Sequence, residues 1–354
     1  LTGLITLTVK NYLNPPLFPH ILVCLLSTIL VTDCNLSHAQ GKIISGKKIA
    51  YATRDGQLSD HGRSRSYYLS GKKIAYGARD GQLSDHGRSR SYYLYTPKSY
   101  HSHRPMPLVL VFHGHGGSGR SIAHVSRFNN LAEQQGFIVA YPDGIGQEWS
   151  LRANSQTHVD DVSFVTTLID HLQQIRNIDS HRIYATGFSK GAILAQALAC
   201  QLPDKIAAFG SVAGALPVRL KPNCQPRTSV SMLMINGTKD QSVHYQGDDD
   251  THERGALISV PATVNFWRTH DGCPSSAQVR QIPDSRSRDR FKVKIARYSS
   301  CKSGSEVLLA SVVGGGHFWP GGASTDVGIN KLNTKLGFNA SKTTWNFFQR
   351  HSLP

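Results

Sequence analysis

The sequence predicts an α/β fold, a mostly parallel sheet with helices on both faces. Three observations predict it. Short apolar runs alternate with stretches of helical spacing from Pro107 to His351. Several runs are continuously apolar, as strands buried on both faces must be. Glycine-rich turns follow the carboxyl ends of several runs, which is where open sheets of this class bind ligands.

Taken in order, Pro107–Phe112 (PLVLVF) reads as a buried strand, and His113–Gly119 (HGHGGSG) as the turn that ends it. Ser121–Gln135 spaces Ile122, Val125, Phe128 and Leu131 along one helix face. Phe137–Tyr141 is the next strand, closed by Pro142-Asp143-Gly144. Val162–Ile175 is an amphipathic helix, Arg182–Thr186 a strand and Ala192–Leu202 a helix. Ile206–Val212 leads into a strand, and Ser231–Ile235 and Val307–Val313 are two more. Ser341–His351 closes the chain as a helix.

The 354 residues, 39% hydrophobic, suffice for one large domain with an N-terminal extension. Ile21–Val31 is an apolar run too short to span a bilayer, with Lys10 and His20 upstream and Ser37-His38-Ala39 downstream. This predicts a signal peptide over 1–39, export, and no stable membrane insertion. A basic extension over 40–86 and a catalytic domain over 87–354 then follow. Cleavage leaves Cys200, Cys224, Cys273 and Cys301. Three pairings are open. Cys200–Cys224 with Cys273–Cys301 is expected because each closes a modest loop, with buried free thiols as the alternative.

The net charge is +16, and Lys42–Arg90 alone carries 11 Lys/Arg against 4 Asp. That stretch holds a tandem duplication. Ser45–Leu69 and Ser70–Leu94 differ only at Ala52/Gly77 and Thr53/Ala78. Two units are too few for a solenoid. The second copy is expected to supply edge strands and the first to be surplus, with a basic wall-binding arm as the functional alternative. No nucleic-acid motif accompanies the charge, and a monomer is expected.

The chemistry centres on Gly187-Phe188-Ser189-Lys190-Gly191, a G-x-S-x-G between a strand and a helix. A sharp, strained turn there lifts a Ser hydroxyl above the sheet, and its flanks must be glycine to avoid clashes. An isolated Ser hydroxyl is a poor nucleophile and needs a base and an orienting acid. On the α/β-hydrolase fold they follow in the order Ser, acid, His. Asp240 lies in the turn Asn236–Asp240 after a strand, and is preferred to Asp248, Asp249 and Asp250 in a polar run. His317 lies in Gly314-Gly315-Gly316-His317 after the last strand and is preferred to His244. His20 and His351 are expected at the surface. The backbone N–H groups of His115 and Lys190 are the expected oxyanion donors. No metal or cofactor is needed for this chemistry.

Together, H-G-H-G-G-S-G, Y-P-D-G, V-D-D-V-S-F, G-F-S-K-G, N-G-T-K-D and G-G-G-H-F-W-P-G-G resemble the esterase/polyhydroxybutyrate-depolymerase family. That family overlaps the LpqC-type secreted esterases and the feruloyl esterases of carbohydrate esterase family 1. The resemblance runs from about Gly87 to the C-terminus. It implies the same triad, Ser189, Asp240 and His317, and the same oxyanion pair, His115 and Lys190. It places Trp149 near the cleft, and Trp319, two residues after the base, is a second candidate for substrate contact. Core packing is the alternative for both. It makes Asp160-Asp161 a structural pair and Cys273–Cys301 a disulfide. Two positions depart from the pattern. Ala192 stands where a second glycine is usual, and Lys190 puts a cation beside the nucleophile.

The expected reaction is hydrolysis of a carboxylic ester, with feruloyl esters of plant walls first and poly(3-hydroxybutyrate) or its oligomers second. A serine peptidase or acyltransferase on the same fold is a third reading, and a non-catalytic wall- or polysaccharide-binding protein a fourth.

Overall fold

A computed structural model of the chain describes residues 77–150, 159–248, 255–282, 292–323 and 337–354, with the backbone of five short strands between 42 and 75. The expected signal peptide and the acids Asp249 and Asp250 lie outside the described residues. The chain divides into two compact units, 1–63 and 64–354. The first contains an antiparallel sheet of β1 (Lys42–Ser45), β2 (Lys48–Ala52) and β3 (Leu58–Ser59). The second opens with a hairpin of β4 (Ser66–Leu69) and β5 (Lys72–Ala75).

The second unit is built on a ten-stranded sheet. Its strands are β6 (Gly77–Asp85), β7 (Arg88–Thr96), β8 (Met106–Phe112), β9 (Ile138–Pro142) and β10 (Ile178–Phe188), followed by β11 (Ala208–Val212), β12 (Met232–Gly237), β13 (Gln278–Ile282), β14 (Lys292–Tyr298) and β15 (Val307–Val313). The spatial order is β13-β14-β15-β12-β11-β10-β8-β9-β7-β6. Strands β15, β12, β11, β10, β8 and β9 are mutually parallel, and antiparallel pairs flank them on both sides. The chain leaves β8 for β9 on one side and later returns to β10 on the other. That reversal opens the crevice at the carboxyl ends in which such sheets bind ligands.

Both faces of the sheet are buried. On β8, Leu108, Leu110 and Phe112 enter one core, and Val109 and Val111 the other. The first core is closed by α3 (Asp161–Ile175), α4 (Lys190–Gln201) and α5 (Val260–His270). The second is closed by α1 (Gly119–Ser126), α2 (Phe128–Gln135) and α6 (Ala340–Phe348). The single helix expected over 121–135 is therefore two. Arg127, at φ 56°, closes α1 onto the Ala123 carbonyl and turns the chain into α2. No glycine marks the break, so the continuous apolar spacing conceals it.

The second repeat copy forms the hairpin β6–β7, paired from Gly77↔Thr96 to Asp85↔Arg88. Its turn is His86-Gly87, both at positive φ, the geometry that suits a tight hairpin. The expected domain boundary at residue 87 cuts through this turn and is corrected: the sheet begins at Gly77. In the first copy, Leu58-Ser59 pairs instead with Tyr51-Ala52.

Arg90 of β7 is the hairpin's anchor. It is 2% exposed and its guanidinium meets the Asp161 carboxylate at 2.5 Å while lying 3.6 Å from the Phe164 ring centre. Asp161 is fully buried and also accepts from the Ser150 N–H at 2.6 Å. Burial raises its pKa, and the Arg90 charge opposes that rise. Removing Arg90 strands the carboxylate, so Arg90→Met is expected to lower unfolding free energy by about 3–5 kcal/mol. Urea denaturation checks this, and Arg90→Met/Asp161→Leu together should recover much of the loss.

Two disulfides are present, Cys200–Cys224 and Cys273–Cys301. The first ties the end of α4 to the segment before β12. The second ties the segment after α5 to that before β15. Their sequence separations of 24 and 28 residues correspond to about 3–4 kcal/mol each on the loop-entropy account. His351, expected at the surface, is partly buried, with its side chain only 8% exposed. It contacts the Ser231 hydroxyl at 3.1 Å, and burial lowers its pKa to about 4. Among the described residues, no helix is long and apolar enough to cross a membrane.

Candidate active site

Ser189 sits on the turn between β10 and α4 with φ 54° and ψ −116°, a strained conformation for a residue with a side chain. The turn is held by the Ser189 N–H on the Val212 carbonyl at 3.0 Å and by the Ala192 and Ile193 N–H groups on the Ser189 carbonyl. Its glycines are obligatory. A Cβ at Gly187 would stand 2.3 Å from the Gly191 carbonyl, and one at Gly191 would stand 2.4 Å from the Phe112 carbonyl oxygen. The extra methyl of Ala192 is accommodated because Gly214 faces it, where a Cβ would come within 2.5 Å.

Asp240 follows β12 and His317 follows β15. The two loops are joined before either side chain is placed. The Lys239 N–H donates to the Gly315 carbonyl at 2.8 Å, and the Gly314 N–H to the Thr238 hydroxyl at 2.8 Å. Gly237 has the Gly315 and Gly316 carbonyl oxygens where a Cβ would be, 2.4 Å away. Asp240 is 4% exposed. Its Oδ1 accepts from the Ser242 and Val243 N–H groups, each at 2.8 Å. Its Oδ2 accepts from His317 Nδ1 at 2.8 Å. With Nδ1 donating, the lone pair of the neutral ring is on Nε2.

The structure thus joins Asp240 directly to His317. The His317 ring lies on Phe188, the residue before Ser189, with ring centres 4.8 Å apart. It records no hydrogen bond between Ser189 and His317 among the described residues. Such bonds often tighten only when substrate binds. His244 is half-exposed and faces Asp248 at 3.8 Å.

The loop after β8 runs past Ser189. A Cβ on Gly114 would stand 3.3 Å from Ser189 Cβ. His113 is buried, and burial lowers its pKa. Its neutral ring accepts the Gly144 N–H on Nε2 at 3.0 Å and contacts the Gly114 carbonyl through Nδ1 at 2.7 Å. Trp149 is 3% exposed and donates its indole N–H to the His113 carbonyl at 2.8 Å. It stacks edge-on against Phe112. Trp319 is 1% exposed and donates to the Ser341 hydroxyl at 2.9 Å. Both tryptophans were candidates for substrate contact. The structure assigns them to packing, because each ring is enclosed and its one donor is satisfied. Lys190 does not present a free cation, since its ammonium is paired with Glu148. Asp160 caps α3 by accepting from the Val162 and Ser163 N–H groups.

Residues 90–243 match the family described as esterase PHB depolymerase. A putative esterase, NocK, from Nocardia uniformis subsp. tsuyamanensis is 31% identical over 261 residues, covering 66% of this chain and 73% of that one. The chain belongs to the esterase/polyhydroxybutyrate-depolymerase family. It is a serine esterase, a carboxylic ester hydrolase. Feruloyl esterase B of Piromyces equi is 29% identical over 267 residues, 73% of this chain but only 44% of that longer protein. The fold matches that of an acetyl xylan esterase from Aspergillus awamori with a TM-score of 0.54, 17% identity and coverage of 77% and 99% of the two chains. Among the described residues, no group of three or more His, Cys, Asp or Glu comes together to hold a metal.

Proposed function

We propose that this family member is an exported feruloyl-type esterase that cleaves plant-wall esters through an acyl-enzyme on Ser189. The observation that carries the reading is the Asp240–His317 contact at 2.8 Å beside the strained Ser189 turn. His317 Nε2 takes the Ser189 proton as Oγ attacks the ester carbonyl. The oxyanion is held by the backbone N–H groups of Lys190 and His115. His317 returns the proton to the leaving alcohol as the C–O bond breaks. Water then repeats the sequence and frees the acid. Asp240 keeps the ring oriented and stabilises the imidazolium charge.

Export is supported by the N-terminal apolar run and the two disulfides. The choice of acyl group is supported by the feruloyl esterase relative of Piromyces equi. A side-by-side assay on methyl ferulate and amorphous poly(3-hydroxybutyrate) tests it. Turnover of methyl ferulate well above that of the polymer is expected. Polymer hydrolysis with methyl ferulate untouched would move the assignment to the depolymerase reading.

A further inference from the structure

Glu148 stands at the crossing of three segments that the reaction needs. Its carboxylate pairs through Oε1 with His115 Nδ1 and through Oε2 with Lys190 Nζ. Those are the residues whose backbone N–H groups are the proposed oxyanion donors. One lies in the loop after β8 and the other at the first position of α4. The two donor segments already meet where β8 pairs with β10 and where Gly191 lies against the Phe112 and His113 carbonyl oxygens, and the Glu148 carboxylate adds a side-chain bridge between the donor residues themselves.

The turn that carries Glu148 is built to present it. Residues Ile145–Gln147 form one tight helical turn, with Gly146 and Gln147 both left-handed at φ 63° and 65°. A Cβ on Gly144 would stand 2.1 Å from the Glu148 carbonyl oxygen. A left-handed Gln is a stored strain with no packing gain of its own on view, and such strain is held where the surrounding structure over-determines it. The same turn is stapled to the loop after β8 by three more bonds. The Gly116 N–H donates to the Gln147 carbonyl at 3.1 Å, the Gly144 N–H to His113 Nε2 at 3.0 Å, and the Trp149 indole to the His113 carbonyl at 2.8 Å. The Lys190 side chain is only 15% exposed, which shields its pairing from solvent.

We infer that Glu148 is a positioning residue for catalysis, a two-handed clamp that fixes the spacing between the His115 and Lys190 oxyanion donors. The inference rests on the Ser189 reading above. Oxyanion stabilisation depends on donors fixed in advance at the position the charge will occupy. The first shell is only as fixed as the residues that hold it. A clamp of this kind acts on the transition state and leaves ground-state binding nearly untouched.

Glu148→Gln keeps the shape and removes the charge that holds two donors at once. Lys190→Met cuts the same clamp from the other end and keeps the Lys190 backbone N–H. Each variant would be measured for kcat and KM on p-nitrophenyl acetate, for inhibition by phenylboronic acid, and for thermal melting. Phenylboronic acid adds to a serine hydroxyl as a tetrahedral anion and so reads the oxyanion site. Active-site titration with a fluorophosphonate normalises each preparation to its competent sites. For both variants kcat is expected to fall about 10- to 100-fold, less than the loss of a whole donor. KM should change less than threefold, and boronate inhibition should weaken by the same factor as kcat. The double variant should lose no more than the worse single one. An unchanged kcat per titrated site would overturn the inference. So would a fall in kcat with boronate affinity intact, or a rise in KM alone. Activity retained in Ser189→Ala would instead overturn the nucleophile reading, so the two failures are distinct.

Discussion

Asp240→Asn is expected to lower kcat by about 10⁴-fold while leaving the fold unchanged. The reason lies in the two backbone donors on one carboxylate oxygen. Ser242 and Val243 present their N–H groups to Oδ1. In the Asn variant that position can be filled only by the amide oxygen, because an NH₂ there would face two donors. The NH₂ is thereby turned toward His317 Nδ1. The ring must then accept on Nδ1 and carry its proton on Nε2, the wrong tautomer to receive a proton from Ser189. The amide is nearly isosteric, so melting should move little. Steady-state kinetics on p-nitrophenyl acetate with a parallel melt checks both halves. A modest loss, below tenfold, would mean that His317 does not act as the base.

Ser189→Ala is expected to remove about 10⁴- to 10⁶-fold of kcat, with a small residue of activity over water from the oxyanion donors and binding. The substitution also relieves nothing in the backbone. Alanine at φ 54° is strained as serine is, so the turn should persist under its other bonds. Loss of activity with melting unchanged separates chemistry from folding. The Ala variant should still bind product acid, because its cleft is otherwise intact.

The central part of this molecule was readable from its sequence for a simple reason. Continuous apolar runs such as Leu108–Phe112 and Val307–Val313 are strands buried on both faces, and their order fixes where loops emerge. Ser189, Asp240 and His317 each follow such a run, so placing the strands placed the residues. The edges were harder. In β14 only one face is covered, with Val293 and Ile295 inward and Lys292 and Lys294 outward, and its polar half masks the strand. Helix α5 hides behind Pro261 at its start, where proline fits the first turn without a lost bond.

Side-chain roles were legible only where chain order dictates them. Trp149 and Trp319 stand in loops beside the catalytic motifs, and an aromatic residue in a loop reads equally as a substrate contact or as packing. Burial decides it, and burial depends on what α6, α2 and His113 bring from elsewhere in the chain. Glu148 is the sharper case. Nothing in Gln147-Glu148-Trp149 signals a partner. His115 and Lys190 reach it only because β8, β9 and β10 lie side by side and end at the same edge of the sheet. The cation beside Ser189, legible as Lys190, was therefore incomplete without its counter-charge.

Labelling the native protein with a fluorophosphonate, digesting it and mapping the adduct by mass spectrometry bears on Ser189 itself. One stoichiometric adduct is expected on the peptide containing Gly187-Phe188-Ser189-Lys190-Gly191, with esterase activity lost in proportion to labelling and no adduct in Ser189→Ala. An active esterase that is left unlabelled, or labelled on a different residue, would contradict the proposed role of Ser189.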